Sequence, residues 1–422
     1  MATVIAPLTY RFRALRTRNF RLFAAGQIVS VAGTWMMVVA QDWLVLGLTG
    51  DSAVALGTVT ALQFTPMLFT LYGGRLADSH DKRTLLTAAN CVSAALALLL
   101  ALAVFADAVA LWHIHLFALG LGIVNAVEVP ARLAFISELV PPSVVPNASA
   151  LSAAYFNVAR VLGPALAGLL LTAFGTGWVM LVNALSYLAT VTGLRLMRPA
   201  ELLRPPREAG RARVVDGLRH TLGRPDLAVP MALVAVVGLF GLNFQLTLPL
   251  LAKTVLHTGA SSFGLLTTVF AAGSLLGAFA ASGRSSRPSA LLVTGAAIAF
   301  GLLEAAVGWA PSPAAAVVLL FLTGFATICF AQAANHRVQL GSDPRYRGRV
   351  LALYTLVMQG STPLGALCVG WLGDRWGARA AFVVGGLVSL TAGLVALAVD
   401  REGRRPATRA APRTPAAEDA RP

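Results

Sequence analysis

The sequence predicts an all-α membrane protein, with twelve transmembrane helices in two pseudo-symmetric six-helix bundles. Three observations carry this expectation. The 422 residues are 57% hydrophobic with a mean hydropathy of +0.74, and only 12% are charged, about half of the roughly 25% usual in soluble domains. The apolar residues gather into runs near the ~20 residues that a helix needs to cross ~30 Å of hydrocarbon. The cations fall almost entirely on one side of the resulting alternation.

The runs lie at 22–47, 53–73, 84–105, 110–130, 148–172, 177–196, 228–251, 262–281, 288–308, 313–335, 350–370 and 379–399. Arg11, Arg13, Arg16, Arg18 and Arg21 precede the first run, as in a signal peptide. That run is too long for a signal core and no small-residue cleavage site follows, so it reads as an uncleaved first span. The expected organisation is a cytoplasmic segment 1–21, a bundle 22–196, a hydrophilic linker 197–227, a second bundle 228–399 and a disordered tail 400–422. Within the linker, "ARVVDGLRHTLGRPDLA" is expected to form a short surface helix.

With the N-terminus placed inside, 29 of the 33 Lys and Arg residues lie in inner segments. Lys253, Arg375 and Arg379 lie outside, and Arg160 lies within span five. A missed span would scramble this partition. The net charge of +15 is therefore an orientation signal rather than a nucleic-acid footprint, and predicts a multi-pass protein of the cell membrane with both termini cytoplasmic. Cys91, Cys329 and Cys368 sit in apolar runs without metal or disulfide spacing. No P-loop, nucleophile triad or metal-spaced histidine set is present, so the expectation is a non-enzyme without cofactor or metal.

The halves read as repeats: "ALGTVTALQFTPMLFTLYGG" in span two parallels "SFGLLTTVFAAGSLLGAFAA" in span eight, and "GPALAGLL" in span five parallels "TPLGALCVG" in span eleven.

A charge at the centre of a membrane helix costs about 2.5–3.5 kcal/mol on insertion scales, so each polar residue inside a span is a candidate. On span one Gln27, Ser30, Thr34 and Gln41 form a stripe with Asp42 at its edge. Asp42 is either an interfacial carboxylate or a protonatable site in a cavity. On span five Asn157, Arg160 and Pro164 share a face, where Arg160 either pairs with a carboxylate or lines a cavity. Asn125, Glu128 and Arg132 share a face at the inner end of span four, as an ion pair or gate. Gln332, Asn335, His336 and Gln339 do so on span ten. Span seven carries Asn243 and Thr247 on one face, with Gln245 off it. Glu304 in span nine has no polar company and is expected to snorkel outward.

"GGRLADSHDKR", residues 73–83, places five charges between spans two and three. It resembles the loop of the major facilitator superfamily whose pattern is roughly G-x-L-A-D-x-x-G-[RK]-[RK]. Gly74, Leu76, Ala77, Asp78, Lys82 and Arg83 match, while Asp81 stands where glycine is usual. "RNFRLFAAGQIVSVAGTW", "VPARLAFISELV", "NVARVLGPALAGLL" and "RYRGRVLALY" are similar to the branch of bacterial siderophore exporters and macrolide-efflux proteins. "RVLGPALAG" resembles the Gly-Pro motif of drug–proton antiporters, with Ala159 and Ala167 departing from it.

The resemblance implies the major facilitator fold, with spans one, four, seven and ten around a cavity and spans three, six, nine and twelve peripheral. It favours Asp42 over Glu304 as a protonation site. The expected function is proton-coupled export of a lipophilic or amphipathic small molecule (a drug-like compound, siderophore or secondary metabolite) by a monomer in the lipid bilayer. An importer of a small nutrient and a non-transporting receptor or scaffold are the alternatives. The expected cavity residues are Gln27, Thr34, Gln41, Asp42, Asn157, Arg160, Asn243 and Gln245. The expected cytoplasmic gate is Gly74, Asp78, Lys82, Arg83, Glu128, Arg132, Arg347 and Arg349, with Asp78 at the N-terminus of span eleven and Arg83 on Glu128. Gly73 and Gly74 are expected to face the opposite bundle. Gly163, Pro164 and Gly168 are expected to pack helices.

Overall fold

The computed structural model describes residues 12–203, 214–283, 286–344 and 346–404. The tail from 405 and residues 204–213 of the linker lie outside the described residues. Among the described residues, ten helices are long and apolar enough to cross a bilayer. The pair Ala53–Phe69 and Tyr72–Ser79, bent by 55°, supplies an eleventh. The longest of the ten, Arg347–Arg401, breaks at Gly377 (φ 84°, ψ 166°) into spans eleven and twelve. The count is the twelve that the sequence predicts.

Span one is Arg18–Leu48, span three Lys82–Phe105, span four Leu111–Leu139, span five Val145–Phe174 and span six Thr176–Leu196. Span seven is broken into Pro225–Phe240 and Phe244–Leu250, and runs on through a π turn at Leu251–Val255. Spans eight, nine and ten are Ala260–Ser282, Ala290–Gly308 and Pro313–Gly341. The linker holds a helix at Val214–Leu222, and His220 stacks on Tyr346 at 4.4 Å just before span eleven. Even parity puts both described chain ends on one face, which also carries most of the cations and is called the basic face below.

Local chemistry fixes the helix starts. Ser52, Asp81, Ser289 and Ser312 each accept a backbone N–H at the N-cap of spans two, three, nine and ten. Asp81 explains its own departure from the family loop. Its φ is −66° and its side chain accepts from Thr84 N–H at 2.9 Å, so the turn is closed by a cap and needs no glycine. Leu99, Leu169 and Phe279 are about two-thirds exposed, which is the proper state of a lipid-facing side chain.

Small residues decide how closely the helices cross. At Gly163 a Cβ would stand 2.5 Å from that of Trp35 on span one. At Gly168 it would stand 3.1 Å from the Ala260 carbonyl and 3.2 Å from Cα of Gly264 on span eight, and the Pro164 carbonyl faces Gly264 in turn. Spans five and eight join the two bundles here, as do spans two and eleven, where Gly370 lies against the Ala53 carbonyl. Gly73 and Gly74 correct the expectation drawn for them. Gly73 packs on Ala126 and Val127 of span four in its own bundle, and Gly74 faces open space. The bend in span two turns this segment toward span four rather than the opposite half.

Gly168→Leu should force spans five and eight apart. Overpacking of this kind costs about 1–3 kcal/mol, and the expected result is a lower melting temperature in detergent, with Gly47→Leu, at a position where a Cβ meets nothing, left unchanged.

Candidate functional site

Two chambers adjoin, one inside the N-terminal bundle with Gln245 of span seven at its edge and one between the bundles. One, of about 340 Å³, is polar: Gln27, Ser30 and Thr34 of span one face Asn125, Glu128 and Arg132 of span four, with Gln63, Asn90, Ser93 and Tyr187 around them. The other, of about 300 Å³, is aromatic: Trp35, Phe244, Phe263 and Phe270 enclose Asp42 and Arg160, with Met358 and Thr327. Trp35, Val38 and Gln245 line both, so the chambers are neighbours that share a wall. Volumes of this size suit small molecules.

Asp42 is 2% exposed, and its Oδ2 has no hydrogen-bond partner. Arg160 lies with its guanidinium 5.8 Å from the centre of the Trp35 ring, a cation–π position. Among the described residues the two charges share the chamber without forming an ion pair. Thr34 donates to the Ser30 carbonyl at 2.9 Å and lies 3.4 Å from the Tyr187 hydroxyl. In the polar chamber Glu128 pairs with Arg132 at 3.1 Å, one turn along the same helix.

Three expected cavity residues lie elsewhere. Gln41 is 3% exposed but lines neither chamber, because it points about 100° away from Asp42 on the same helix. Asn157 turns back to the Ala153 carbonyl at 2.8 Å. Asn243 donates to the Leu239 carbonyl and faces Gly365 of span eleven. The break in span seven changes the helical phase, so Gln245 enters the chambers and Asn243 does not. Glu304 is also a correction. It is 3% exposed and points into its own bundle, where Gly241 and Gly385 leave room for its carboxyl. The peripheral helices contribute more than expected, since Asn90 and Ser93 of span three and Tyr187 of span six reach the polar chamber. Their i, i+3 polar pairs were visible in the sequence.

The basic face has its own arrangement. Lys82 pairs with Glu138 at 2.7 Å. Arg83 donates to the carbonyls of Leu194 (2.7 Å) and Arg195 (3.1 Å) at the end of span six. The expected Arg83–Glu128 pair is therefore replaced, because a basic side chain here serves the unsatisfied carbonyls of a helix C-terminus. Asp78 is exposed, and none of the ion pairs seen among the described residues includes it. Arg347 is exposed, and Arg349 lies over the Tyr346 ring at 5.5 Å.

The opposite face is closed by contacts that cross the bundles. Asp374, at the end of span eleven, accepts from the Ala53 backbone N–H and from Ser52 Oγ (3.0 Å) at the N-terminus of span two. Lys253 pairs with Asp51 at 2.6 Å and sits 5.4 Å from the Trp43 ring, which stacks on Phe263 at 6.1 Å. Phe263 lines the aromatic chamber, so this stack is its roof. Sequence reasoning missed Asp374, and a signal for it existed. Gly370-Trp371-Leu372-Gly373-Asp374 repeats the pattern of Gly74-Arg75-Leu76-Ala77-Asp78, and Arg379 follows Asp374 as Arg83 follows Asp78. The geometry repeats too: Arg379 donates to the carbonyls of Gly308 (3.2 Å) and Ala310 (3.4 Å) at the end of span nine. One copy of the motif lies on each face, and the copy opposite the basic face is engaged.

Comparison with known proteins agrees with this geometry. The chain is 28% identical over 396 residues to the multidrug efflux pump Tap of Mycolicibacterium fortuitum, covering 90% of this chain and 95% of that protein. It is 24% identical over 395 residues to the staphyloferrin A transporter of Staphylococcus aureus, covering 90% and 96%. Its fold matches that of a bacterial homologue of the human lysosomal transporter Spinster, solved inward-facing and occupied, with a TM-score of 0.73 at 16% identity over 91% of this chain and 97% of that one. Residues 9–416 match the family described as transmembrane secretion effectors. The chain is thus a multi-pass membrane transporter of small molecules, and it belongs to the transmembrane secretion effector family of the major facilitator superfamily.

Proposed function

We propose that this transporter is a proton-coupled exporter of a lipophilic or amphipathic small molecule, with the basic face and both termini cytoplasmic. The observation that carries the reading is the adjacent pair of chambers. An aromatic chamber with one acid and one base, Asp42 and Arg160, shares Trp35, Val38 and Gln245 with a polar chamber. The aromatic walls suit an apolar cargo, and Arg160 suits an anionic group on it. The efflux pump and siderophore transporter among its relatives support a drug-like compound, siderophore or secondary metabolite. Cargo enters from the cytoplasm while the far side is closed. A proton arriving at Asp42 when the chamber faces outward displaces it, and leaves when the chamber faces inward again. Both chambers are enclosed by one chain, which supports a monomer as the working unit.

The test is uptake into everted membrane vesicles, using a siderophore and a macrolide as probes. Acidifying the lumen should drive accumulation of at least one probe, and collapsing the proton gradient should abolish it. Accumulation in right-side-out vesicles only would overturn the direction, and gradient-independent accumulation would overturn the coupling.

A further inference from the structure

We propose that Glu304 is a second proton-binding site, inside the C-terminal bundle and separate from the chambers. Glu304 is 3% exposed and its Oε2 has no hydrogen-bond partner. The hydroxyl of Ser389, on span twelve and 0% exposed, also lacks one. Two glycines make the space for these groups. A Cβ on Gly241 would stand 2.9 Å from Glu304 Oε2 and 2.7 Å from Ser389 Oγ. A Cβ on Gly385 would stand 2.9 Å from Glu304 Oε1 and 2.6 Å from the Phe240 carbonyl oxygen. The same Cβ on Gly241 would stand 2.7 Å from Phe300 Cε1.

The surroundings select the acid form. A carbonyl oxygen accepts hydrogen bonds and repels a carboxylate, while a carboxylic acid donates to it. A buried carboxylate without a cation costs several kcal/mol. Glu304 is the sole charged residue of span nine, and among the described residues no ion pair includes it. Arg379 of span twelve is held by the Gly308 and Ala310 carbonyls, about one turn further along span nine. Lys253 at the far end of span seven is taken by Asp51. Asp226 of span seven, Arg337 of span ten and Asp400 of span twelve lie beside Ala290, at the opposite end of span nine. The site therefore holds a proton, and the nearer face is the one that carries Arg379.

The position also gives the proton something to move. The Phe240 carbonyl and Gly241 stand at the break in span seven, where Gly241 and Leu242 N–H both donate to the Val237 carbonyl and the ladder resumes with Leu246 and Thr247 on Asn243. Beyond the break Phe244 packs on Phe300, one turn from Glu304, at 6.1 Å, and on Phe270 at 4.2 Å. Phe244 and Gln245 line the aromatic chamber. Ionising Glu304 beside Gly241 puts a charge against the turn that aims both side chains.

The test is infrared spectroscopy of the full-length protein in detergent through a pH titration. Wild type should show the carbonyl-stretch band of a protonated carboxylic acid at neutral pH. Glu304→Gln should remove it, and Ser389→Ala, which keeps the acid but changes its neighbour, should shift it. Asp42→Asn should leave this band in place, which separates the site from the one proposed in the chamber. A spectrum identical in wild type, Glu304→Gln and Ser389→Ala would overturn the proposal, and should Glu304→Gln fail to fold, an unshifted Ser389→Ala spectrum would do so alone. Loss of the band when sodium replaces choline would also overturn it, by assigning the site to sodium. If export is proton-coupled as proposed, Glu304→Gln should further shift the pH profile of its rate without lowering the gradient that one proton sustains.

Discussion

Asp42→Asn is expected to collapse the substrate gradient while leaving the protein folded and able to bind cargo. One proton crossing 100 mV releases about 2.3 kcal/mol, and at ~1.4 kcal/mol per decade this sustains roughly a 40-fold gradient of a neutral compound. Without a titratable group at position 42 that gradient should fall toward unity in proteoliposomes. Passive exchange of labelled cargo should persist, because Trp35, Phe244, Phe263 and Phe270 still form the walls. The substitution replaces a buried carboxyl, 2% exposed and partly unsatisfied, by an isosteric amide, so the expected stability change is small or favourable. Retention of the full gradient would remove Asp42 from the mechanism.

Asp374→Asn is expected to open the face that is closed here. The Asp374 carboxylate binds the N-terminus of span two, an interaction worth about 1–2 kcal/mol between an anion and a helix dipole in partly buried geometry. That corresponds to roughly a 5- to 30-fold shift in the balance between closed and open forms. The neighbouring Lys253–Asp51 pair is 25% and 37% exposed and adds about 0–1 kcal/mol. A modest total suits a transporter, since moving a two-state equilibrium from 1:99 to 99:1 already takes about 5.5 kcal/mol. The expected measurement is faster labelling of a cysteine at Trp43 by a water-soluble maleimide applied to the face opposite the basic one. The rate in Asp374→Asn should exceed that in the unmodified latch by 5-fold or more. Equal rates would show that Asp374 does not hold this face.

The large-scale architecture was legible because the bilayer makes hydropathy and cation placement report it directly. Ten of the predicted runs fall on a continuous helix and those of spans two and seven on a broken pair, and the break between spans eleven and twelve falls at Gly377, where a positive φ suits glycine. Helix-face arguments placed Gln27, Thr34 and Asp42 on span one and Arg160 on span five at the chambers, but not Gln41 and Asn157 on the same continuous helices, and Glu128 and Arg132, expected as a gate, line the polar chamber. They also failed at the break in span seven. The break at Gly241 exchanges Asn243 for Gln245, and no periodicity computed through it can place either. Glu304 was misjudged because snorkelling depends on what stands opposite, and two glycines on other helices decide that. Asp374 was missed because the repeat it belongs to is inverted across the membrane, so its copy of the family loop lies on the other face and carries Gly377 where the first copy carries Asp81.

The central claim is that proton binding moves one chain between two states, one closed at each face. Spin labels at Ala106 and Trp309 report the far face, and labels at His80 and Leu340 report the basic face, each pair spanning the bundles. Distances within both pairs should be measured by pulsed electron resonance in nanodiscs, at acid and alkaline pH. The account predicts that the two distances change in opposite directions with pH in wild type. It predicts also that Asp42→Asn, with its state fixed, shows little response. Distances that ignore pH in wild type, or that respond equally in Asp42→Asn, would contradict it.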